Sequence, residues 1–139
     1  MREIKSNIDG SVLARYIPEN EWGDGLKFYS DDEDFIQVGT WAYSEGKELL
    51  AHRHNRVDRE VFRTQEVVFV YCGSLRADIF DIDDTLLESI TAGVGDFIVL
   101  LGGGHGYHIL KEDTKVLEVK NGPYPGADVD RTRLAGGES

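Results

Sequence analysis

Short segments rich in β-branched and aromatic residues, separated by glycines, aspartates and other turn formers, run through most of this chain. Such segments predict β-strands rather than helices. We predict strands at 35–43, 66–73, 75–81, 86–93, 96–101, 106–111 and 115–120. Evenly spaced short strands favour a sandwich or a barrel, so the expected fold class is all-β.

The connections between these segments are also predictable. The sequences "YCGSL" and "DIDDT" carry turn residues between two strands, and we interpret both as hairpins. A single helical turn is expected near 55–64. The chain has 139 residues, which suits one domain spanning 1–139. The prolines and glycines of the tail at 121–139 predict a segment that wraps the outside or frays.

Composition narrows the functional classes. The single cysteine, Cys72, permits no intramolecular disulfide. The first ten residues lack the apolar run of a signal peptide, and no stretch approaches the roughly 20 apolar residues of a membrane span. We therefore expect a cytoplasmic protein with no membrane partner. The net charge of -11 repels phosphate backbones, so nucleic acid is not an expected partner.

An anionic ligand would need a local basic patch on such an acidic chain. Five basic residues cluster around a pair of histidines: Lys47, Arg53, Arg56, Arg59 and Arg63. Among them, Arg63 is a candidate for binding a phosphate or carboxylate group of a ligand. Arg53 is expected to face away from its histidine neighbours, as a surface or interface residue.

The histidine pair is the first sign of chemistry. His52 and His54 are two residues apart, and in a strand such residues share a face. They would then converge on one point, as two ligands of a metal ion do. The alternative is a pair of solvent-facing histidines on an edge strand.

Two further residues support a metal site. Glu66 opens the apolar segment "EVVFVYCG", and a carboxylate at the start of a buried strand needs a partner such as a cation. His105 follows the glycines at 102–104, which allow a tight turn that aims a side chain inward.

These residues resemble the first motif of the cupin superfamily, G-x5-H-x-H-x(3,4)-E-x6-G. Gly46, His52 and His54 match its first half, and Glu66 and Gly73 match its second half. Eleven residues separate His54 from Glu66, where the motif has three or four, so the insert is expected to loop out between two strands.

The second cupin motif, roughly G-x5-P-x-G-x2-H-x3-N, is matched by Gly95 and by Gly102 with His105, without its proline and final asparagine. The segments "HRHN", "RTQEV", "GGHGY", "LEVKNGPY" and "DVDRTR" also resemble a group of small bacterial cupins. Members of that group are commonly encoded among surface-polysaccharide and nucleotide-sugar genes.

The resemblance implies a jelly-roll β-barrel of two antiparallel sheets, with a core at about 36–120. It also implies a divalent transition metal such as Zn, Fe, Mn or Ni. The implied ligands are three imidazoles and one carboxylate: His52, His54, Glu66 and His105. His108 is the alternative to His105 as the last ligand. In a regular strand the two point to opposite faces, so only one of them can bind the metal. Glu60 is the rival of Glu66, but no glycine follows it at the motif spacing.

Three other residues lie near this set in the sequence. Tyr107 shares a face with His105 in a strand, which suits a general acid or a residue that hydrogen-bonds the ligand. The alternative is a core tyrosine with a satisfied hydroxyl. Tyr107 and His108 are the two catalytic candidates. Lys120 and Tyr124 either line the barrel mouth or pack on the surface.

Three functions remain open at this point. The first is a metal-dependent isomerase or epimerase acting on a sugar or nucleotide sugar in polysaccharide biosynthesis. The second is a non-catalytic module that binds such a carbohydrate. The third is an iron-dependent dioxygenase. Strand edges that need covering make a homodimer a further expectation.

Overall fold

The computed structural model describes residues 1–134, and these residues are mainly antiparallel β-structure. Ten strands are present in this range: β1 (Arg2–Lys5), β2 (Val12–Ile17), β3 (Gly25–Phe28), β4 (Gly39–Ala42), β5 (Glu66–Cys72), β6 (Ser74–Phe80), β7 (Leu86–Gly93), β8 (Phe97–Leu100), β9 (Gly104–Ile109) and β10 (Lys115–Lys120). Helical structure in this range is limited to a short 3-10 turn at Glu19–Glu21 and the single helical turn α1 at Ala127–Asp130. Within residues 1–134, no helix has the length and apolarity needed to cross a membrane.

The strands form three separate sheets. The largest has five strands in the order β1-β2-β8-β5-β10, the second has three in the order β7-β6-β9, and the third is the pair β3-β4. Neighbouring strands are antiparallel throughout. The predicted all-β class is confirmed, while the described residues form no closed barrel.

The main core lies where the five-stranded sheet faces the three-stranded sheet. Alternate residues of β5, Val68 and Val70, are almost fully buried there. They belong to the same cluster as Leu75, Ala77 and Ile79, the alternate residues of β6. The period-2 patterns of the two strands therefore pack the sheets together.

The opposite face of the five-stranded sheet is also buried. Phe97 and Val99 of β8 pack there with Tyr29 and Ile36, which lie between β3 and β4. The rings of Tyr29 and Phe97 meet edge-on with centroids 5.3 Å apart. Because both faces are covered, the five-stranded sheet is the middle layer of the molecule.

The predicted strands at 66–73, 75–81, 86–93, 96–101, 106–111 and 115–120 are confirmed within two residues at each end. The predicted strand at 35–43 is shorter, because only Gly39–Ala42 pairs with β3. The strands β1, β2 and β3 lie before the predicted core.

One turn prediction is confirmed and one is wrong. "DIDDT" joins β6 to its hydrogen-bonded neighbour β7, as a hairpin does. "YCGSL" instead carries the chain from the five-stranded sheet to the three-stranded sheet. Gly73 makes this change of direction at φ +85, where an added Cβ would lie 2.2 Å from Oγ1 of Thr114.

The segment that contains His52 and His54 differs most from expectation. Residues 43–65 contain neither a strand nor a helix, so both the strand predicted for the histidine pair and the helical turn near 55–64 are wrong. The physical reason is that a strand needs a hydrogen-bonding neighbour, and the segment has none in the described fold.

Candidate functional site

Glu66 is the buried charge around which the candidate site is built. It begins β5 and continues the inward-facing alternation of Val68 and Val70, so its carboxylate points between the two large sheets. Only 5% of the residue is exposed. A charge this deep needs partners, and the neighbouring strands supply them.

Two side chains of β9 provide the main partners. His105 and Tyr107 are two residues apart and lie opposite Ile79 and Ala77 of β6, so they share the inner face of the sheet. His105 Nε2 lies 3.0 Å from Oε1 of Glu66. The Tyr107 hydroxyl donates to the same oxygen at 2.8 Å. These bonds connect the edge strand of one sheet to the middle of the other.

Lys120 supplies a positive charge on the other side of the carboxylate. It lies directly opposite Glu66 in the pairing of β10 with β5. Its Nζ is 3.9 Å from Oε2 of Glu66 and 3.1 Å from Oε1 of Glu118. The hydrogen bond to Glu118 raises the pKa of Lys120. The lysine therefore stays charged beside the buried carboxylate.

These contacts determine the protonation states in the cluster. Burial would raise the pKa of Glu66, but the hydrogen bonds from His105 and Tyr107 and the charge of Lys120 lower it to about 2. Burial, together with the neighbouring carboxylate, raises the pKa of Tyr107. At neutral pH the cluster thus holds an ionised carboxylate and a neutral phenol, which is a hydrogen-bond donor.

The start of β5 is fixed by a set of hydrogen bonds. Oδ1 of Asn121 accepts from the backbone N–H of Gln65 at 2.6 Å, and Nδ2 of Asn121 donates to the carbonyl of Arg63 at 3.2 Å. The side chain of Gln65 accepts from the backbone N–H of Phe35 and donates to the carbonyl of Leu101. These bonds hold the backbone on which Glu66 sits.

The cluster lies in an open cleft of about 1570 Å³. This volume exceeds the roughly 300–1,000 Å³ of common small-molecule sites. Residues 121–123 and 129–134 form part of its wall, so the C-terminal tail lies along the cleft. Residues 135–139 of the predicted tail are outside the described residues. Four basic side chains line the cleft: Arg63, Lys120, Arg131 and Arg133.

The predicted metal ligands are only partly brought together. Glu66 and His105 are in contact, whereas His52 and His54 are exposed in the segment without secondary structure. The imidazoles of His52 and His54 lie edge-on with centroids 5.1 Å apart, and Nδ1 of His52 is 3.2 Å from the carbonyl of Leu50. In residues 1–134, no group of three or more His, Cys, Asp or Glu side chains is placed to hold a metal ion. As positioned in one chain, the predicted ligands do not fit a four-ligand metal centre.

The rival residues lie elsewhere. His108 sits opposite Arg76 on the outer face of β9. The neighbouring Asp78 has its pKa lowered, against the effect of burial, mainly by hydrogen bonds from Ser89 and Arg76 and least by His108. This position separates His108 from the inward-facing cluster. Glu60 is exposed, as is Arg53, and both lie in the segment that carries the histidine pair. Tyr124 is 59% exposed beside the cleft.

The sequence pattern assigns no role to several residues of the site. Gln65 and Asn121 lie in "RTQEV" and "LEVKNGPY", but the hydrogen bonds of Asn121 join residues more than 50 positions apart. Arg131 and Arg133 lie in a tail that was expected to wrap or fray. The two arginines are two positions apart in "DRTR", and in an extended segment this spacing places both side chains on the same side.

Comparison of the chain with protein-family models, with curated proteins and with solved structures finds no match.

Proposed function

We propose that the cleft binds a sugar or nucleotide sugar and that the cluster at its floor moves a proton on this ligand, as an isomerase or epimerase does. The observation that carries the proposal is the buried carboxylate of Glu66, whose Oε1 accepts from both His105 and Tyr107 at the floor of a large cleft. Titratable groups with shifted pKa values that converge in a cleft identify a candidate reactive site.

The chemistry follows from the protonation states. His105 is the base in this proposal, because imidazole is the side chain most often used for proton transfer. Glu66 orients the ring and stabilises the charge that the ring gains. Tyr107 stays protonated and donates toward an oxygen of the ligand, where negative charge develops when a proton leaves the adjacent carbon.

The ligand class follows from the cleft lining. Hydroxyl groups of a sugar both donate and accept hydrogen bonds, and the cleft presents carboxylates such as Glu118 beside Asn121 and Lys120. Arg63, Arg131 and Lys120 also suit the phosphates of a nucleotide sugar. The volume of about 1570 Å³ is large enough for a ligand of that size.

A cupin-type jelly roll is the fold that we propose for this chain. Two antiparallel sheets that enclose a common core support it, as does the position of Glu66 and His105 between them. The metal that the cupin resemblance implies is not part of the proton-transfer proposal, because one chain brings only two of its four ligands together.

Non-catalytic carbohydrate binding is the second candidate. One observation favours it: Oε1 of Glu66 already accepts two hydrogen bonds, and Oε2 faces Lys120, so the carboxylate is satisfied without a substrate. A cluster of this kind can orient a ligand without reacting with it.

Two measurements on the same ligands test the proposal. A panel of sugars and nucleotide sugars is screened for an increase in melting temperature, since a ligand of the native state stabilises it. Each ligand that binds is then incubated with the protein in D₂O, and deuterium incorporation at carbon is followed by NMR. Deuterium incorporation that depends on the protein supports a catalytic role. Binding without deuterium incorporation supports non-catalytic carbohydrate binding.

Variants on the two faces of β9 provide a matched control. His105→Ala should abolish the exchange, while His108→Ala on the outer face should leave it within about twofold of wild type. Exchange that survives His105→Ala would rule out this residue as the base. The absence of any stabilising ligand in the panel would contradict the proposed ligand class.

A further inference from the structure

The two edges of the five-stranded sheet expose different kinds of side chain. Within residues 1–134, β1 and β10 each have one hydrogen-bonded neighbour. The exposed residues of β1 are the charged Arg2, Glu3 and Lys5, and charge protects an open edge from pairing with another chain. β10 instead exposes Leu117 at 58% and Val119 at 49%. An edge strand with exposed aliphatic side chains favours pairing, so β10 is the edge at which a partner strand can add.

The apolar surface of β10 continues onto the outer face of the sheet. Leu117 lies opposite Phe69 of β5. Val119 lies opposite Val67 in the same way. Phe69 and Val67 pack against the cluster on the outer face, so all four side chains point outward. Phe69 also meets the ring of the exposed Trp22 edge-on, with centroids 6.4 Å apart. The aliphatic side chains of β10 are therefore the margin of a larger apolar surface.

The hydrogen-bonding pattern shows which backbone groups the open edge of β10 presents. The N–H of Asn121 donates to the carbonyl of Gln65, so the alternate residues before it in β10 bond to β5. Glu118 and Lys120 occupy the positions between, and their backbone N–H and C=O groups point away from β5. Pro123 follows and has no N–H to donate, which limits pairing beyond this point. The pairing surface of the edge is therefore short and includes 118–120.

We propose that two copies of this chain pair through β10 in antiparallel fashion, with the two-fold axis at Val119 and with Glu118 of each copy opposite Lys120 of the other. The two five-stranded sheets then form one sheet of ten strands. Glu118 and Lys120 exchange both backbone hydrogen bonds across the interface. Val119 faces Val119 of the second copy in a non-hydrogen-bonded pair, where the two Cα atoms approach to about 4.5 Å.

Charge selects this register from its neighbours. An axis at Glu118 would place two carboxylates directly opposite each other, and an axis at Lys120 would do the same with two ammonium groups. Like charges at opposite positions destabilise a sheet. An axis at Leu117 would place Glu118 opposite Val116, without an ion pair between the copies. Among these registers, only the axis at Val119 pairs each acidic side chain with a basic one.

The ion pairs between copies extend an ion pair that each copy already has. Nζ of Lys120 lies 3.1 Å from Oε1 of Glu118 in the same chain, and both side chains are on the inner face. In the dimer these four side chains form a ring of alternating charge, and such networks contribute more than isolated surface pairs. This local attraction offsets the repulsion between two chains that each have a net charge of -11.

Cysteine crosslinking tests the register. The background variant Cys72→Ser removes the one native cysteine. In this background Val119→Cys places two thiols across the axis, with a Cα separation inside the roughly 4.4–6.8 Å range of disulfides. Oxidation with oxidised glutathione should convert most of this variant to a covalent dimer on a non-reducing gel.

Leu117→Cys in the same background is the matched control, on the same strand and face. Its two thiols lie four positions apart along the paired strands, about 14 Å, so they should not crosslink. Crosslinking of Leu117→Cys that equals or exceeds that of Val119→Cys would overturn the register. Crosslinking of neither variant would overturn the pairing through β10.

The mass in solution tests the pairing without added cysteines. Light scattering during gel filtration should give wild type twice the 15.6 kDa mass of the chain. Val119→Lys places two like charges at the axis and should give a monomer with the circular dichroism spectrum of wild type. Val94→Lys makes the same change at a valine that is 61% exposed outside β10, and it should remain a dimer.

Two outcomes of this measurement would contradict the proposal. A monomeric wild type would mean that no second copy covers the edge of β10, whether a different protein or none does so. A dimer that survives Val119→Lys would place the interface elsewhere on the chain.

Discussion

The hydroxyl of Tyr107 donates a 2.8 Å hydrogen bond to Oε1 of Glu66 and thereby joins the exposed edge strand β9 to β5 in the middle layer. His105 reaches the same oxygen from two residues earlier in β9. A single carboxylate therefore helps to fix the position of a strand that, within residues 1–134, has β6 as its one hydrogen-bonded neighbour. The stability of this edge and the geometry of the cleft depend on the same contacts.

Tyr107→Phe removes the hydroxyl and keeps the ring. We expect it to lower the free energy of unfolding by about 1 kcal/mol, because the bond goes to an ionised group but the tyrosine is partly exposed. Urea denaturation measures the change. Tyr124→Phe, at a tyrosine that is 59% exposed, is the control and should have no measurable effect. Equal effects of the two variants would mean that the bond to Glu66 does not stabilise the fold.

Gly103→Ala should disturb the entry into β9. Gly103 has φ +66, and an added Cβ would lie 2.3 Å from the carbonyl oxygen of Phe80. The left-handed backbone and the backbone clash together should cost at least about 2 kcal/mol. The same shift should displace His105 and reduce the increase in melting temperature caused by any ligand of the cleft.

Gly106→Ala is the matched control for that variant. A Cβ at this position meets nothing within 4 Å, and the residue is not in the left-handed region. Its urea midpoint should therefore equal that of wild type or exceed it slightly. If both glycine variants unfold alike, the strain at Gly103 is not the cause.

Arg15→Met should destabilise the layer on the outer face of the five-stranded sheet. The arginine is 3% exposed, and its guanidinium donates to one carbonyl and three carboxylates, those of Tyr29, Glu3, Asp31 and Asp34. Its removal takes a donor from the carbonyl of Tyr29 and from the carboxylate of Asp34, which is 16% exposed, and should cost about 2 kcal/mol in urea denaturation. Arg56→Met is the control, because the ion pair of Arg56 is almost fully exposed and should contribute little. A cost below 1 kcal/mol for Arg15→Met would contradict this account.

Asp81 should make stability depend on pH in the acid range. The hydrogen bond from Ser6 Oγ and those from the backbone N–H groups of Asn7 and Ile82 lower the pKa of Asp81 below its ordinary 3.8. A group whose pKa is lower in the folded state stabilises the fold above its unfolded pKa and ceases to do so as pH falls through the folded value. Asp81→Asn should therefore reduce the urea midpoint at pH 7, and the difference from wild type should shrink at pH 3.

The control for the pH experiment is Asp24→Asn, at an exposed aspartate. Its midpoint should follow that of wild type at both values of pH. A difference between Asp81→Asn and wild type that grows toward pH 3 would mean that the sign of the linkage is wrong.

Much of the candidate site could be predicted from local pattern. The alternation of β5 indicated that Glu66 begins a buried strand, and the spacing of His105 and Tyr107 placed them on one face of β9. These features depend on neighbours within a few residues, so sequence alone carries them. The buried strand β2 was missed because Arg15 interrupts its apolar run, and the acidic partners of that arginine are visible only in the fold.

The local sequence thus determined which segments form strands and which side chains share a face, because successive side chains of any strand point to opposite faces. Tertiary structure decided which strands pair. The hairpin predicted at "YCGSL" is a crossing between sheets, and the strand predicted for His52 and His54 is an exposed segment without secondary structure. Pairing depends on the hydrogen-bonding edge that another part of the chain, or another chain, presents, and no local pattern records which edge that is.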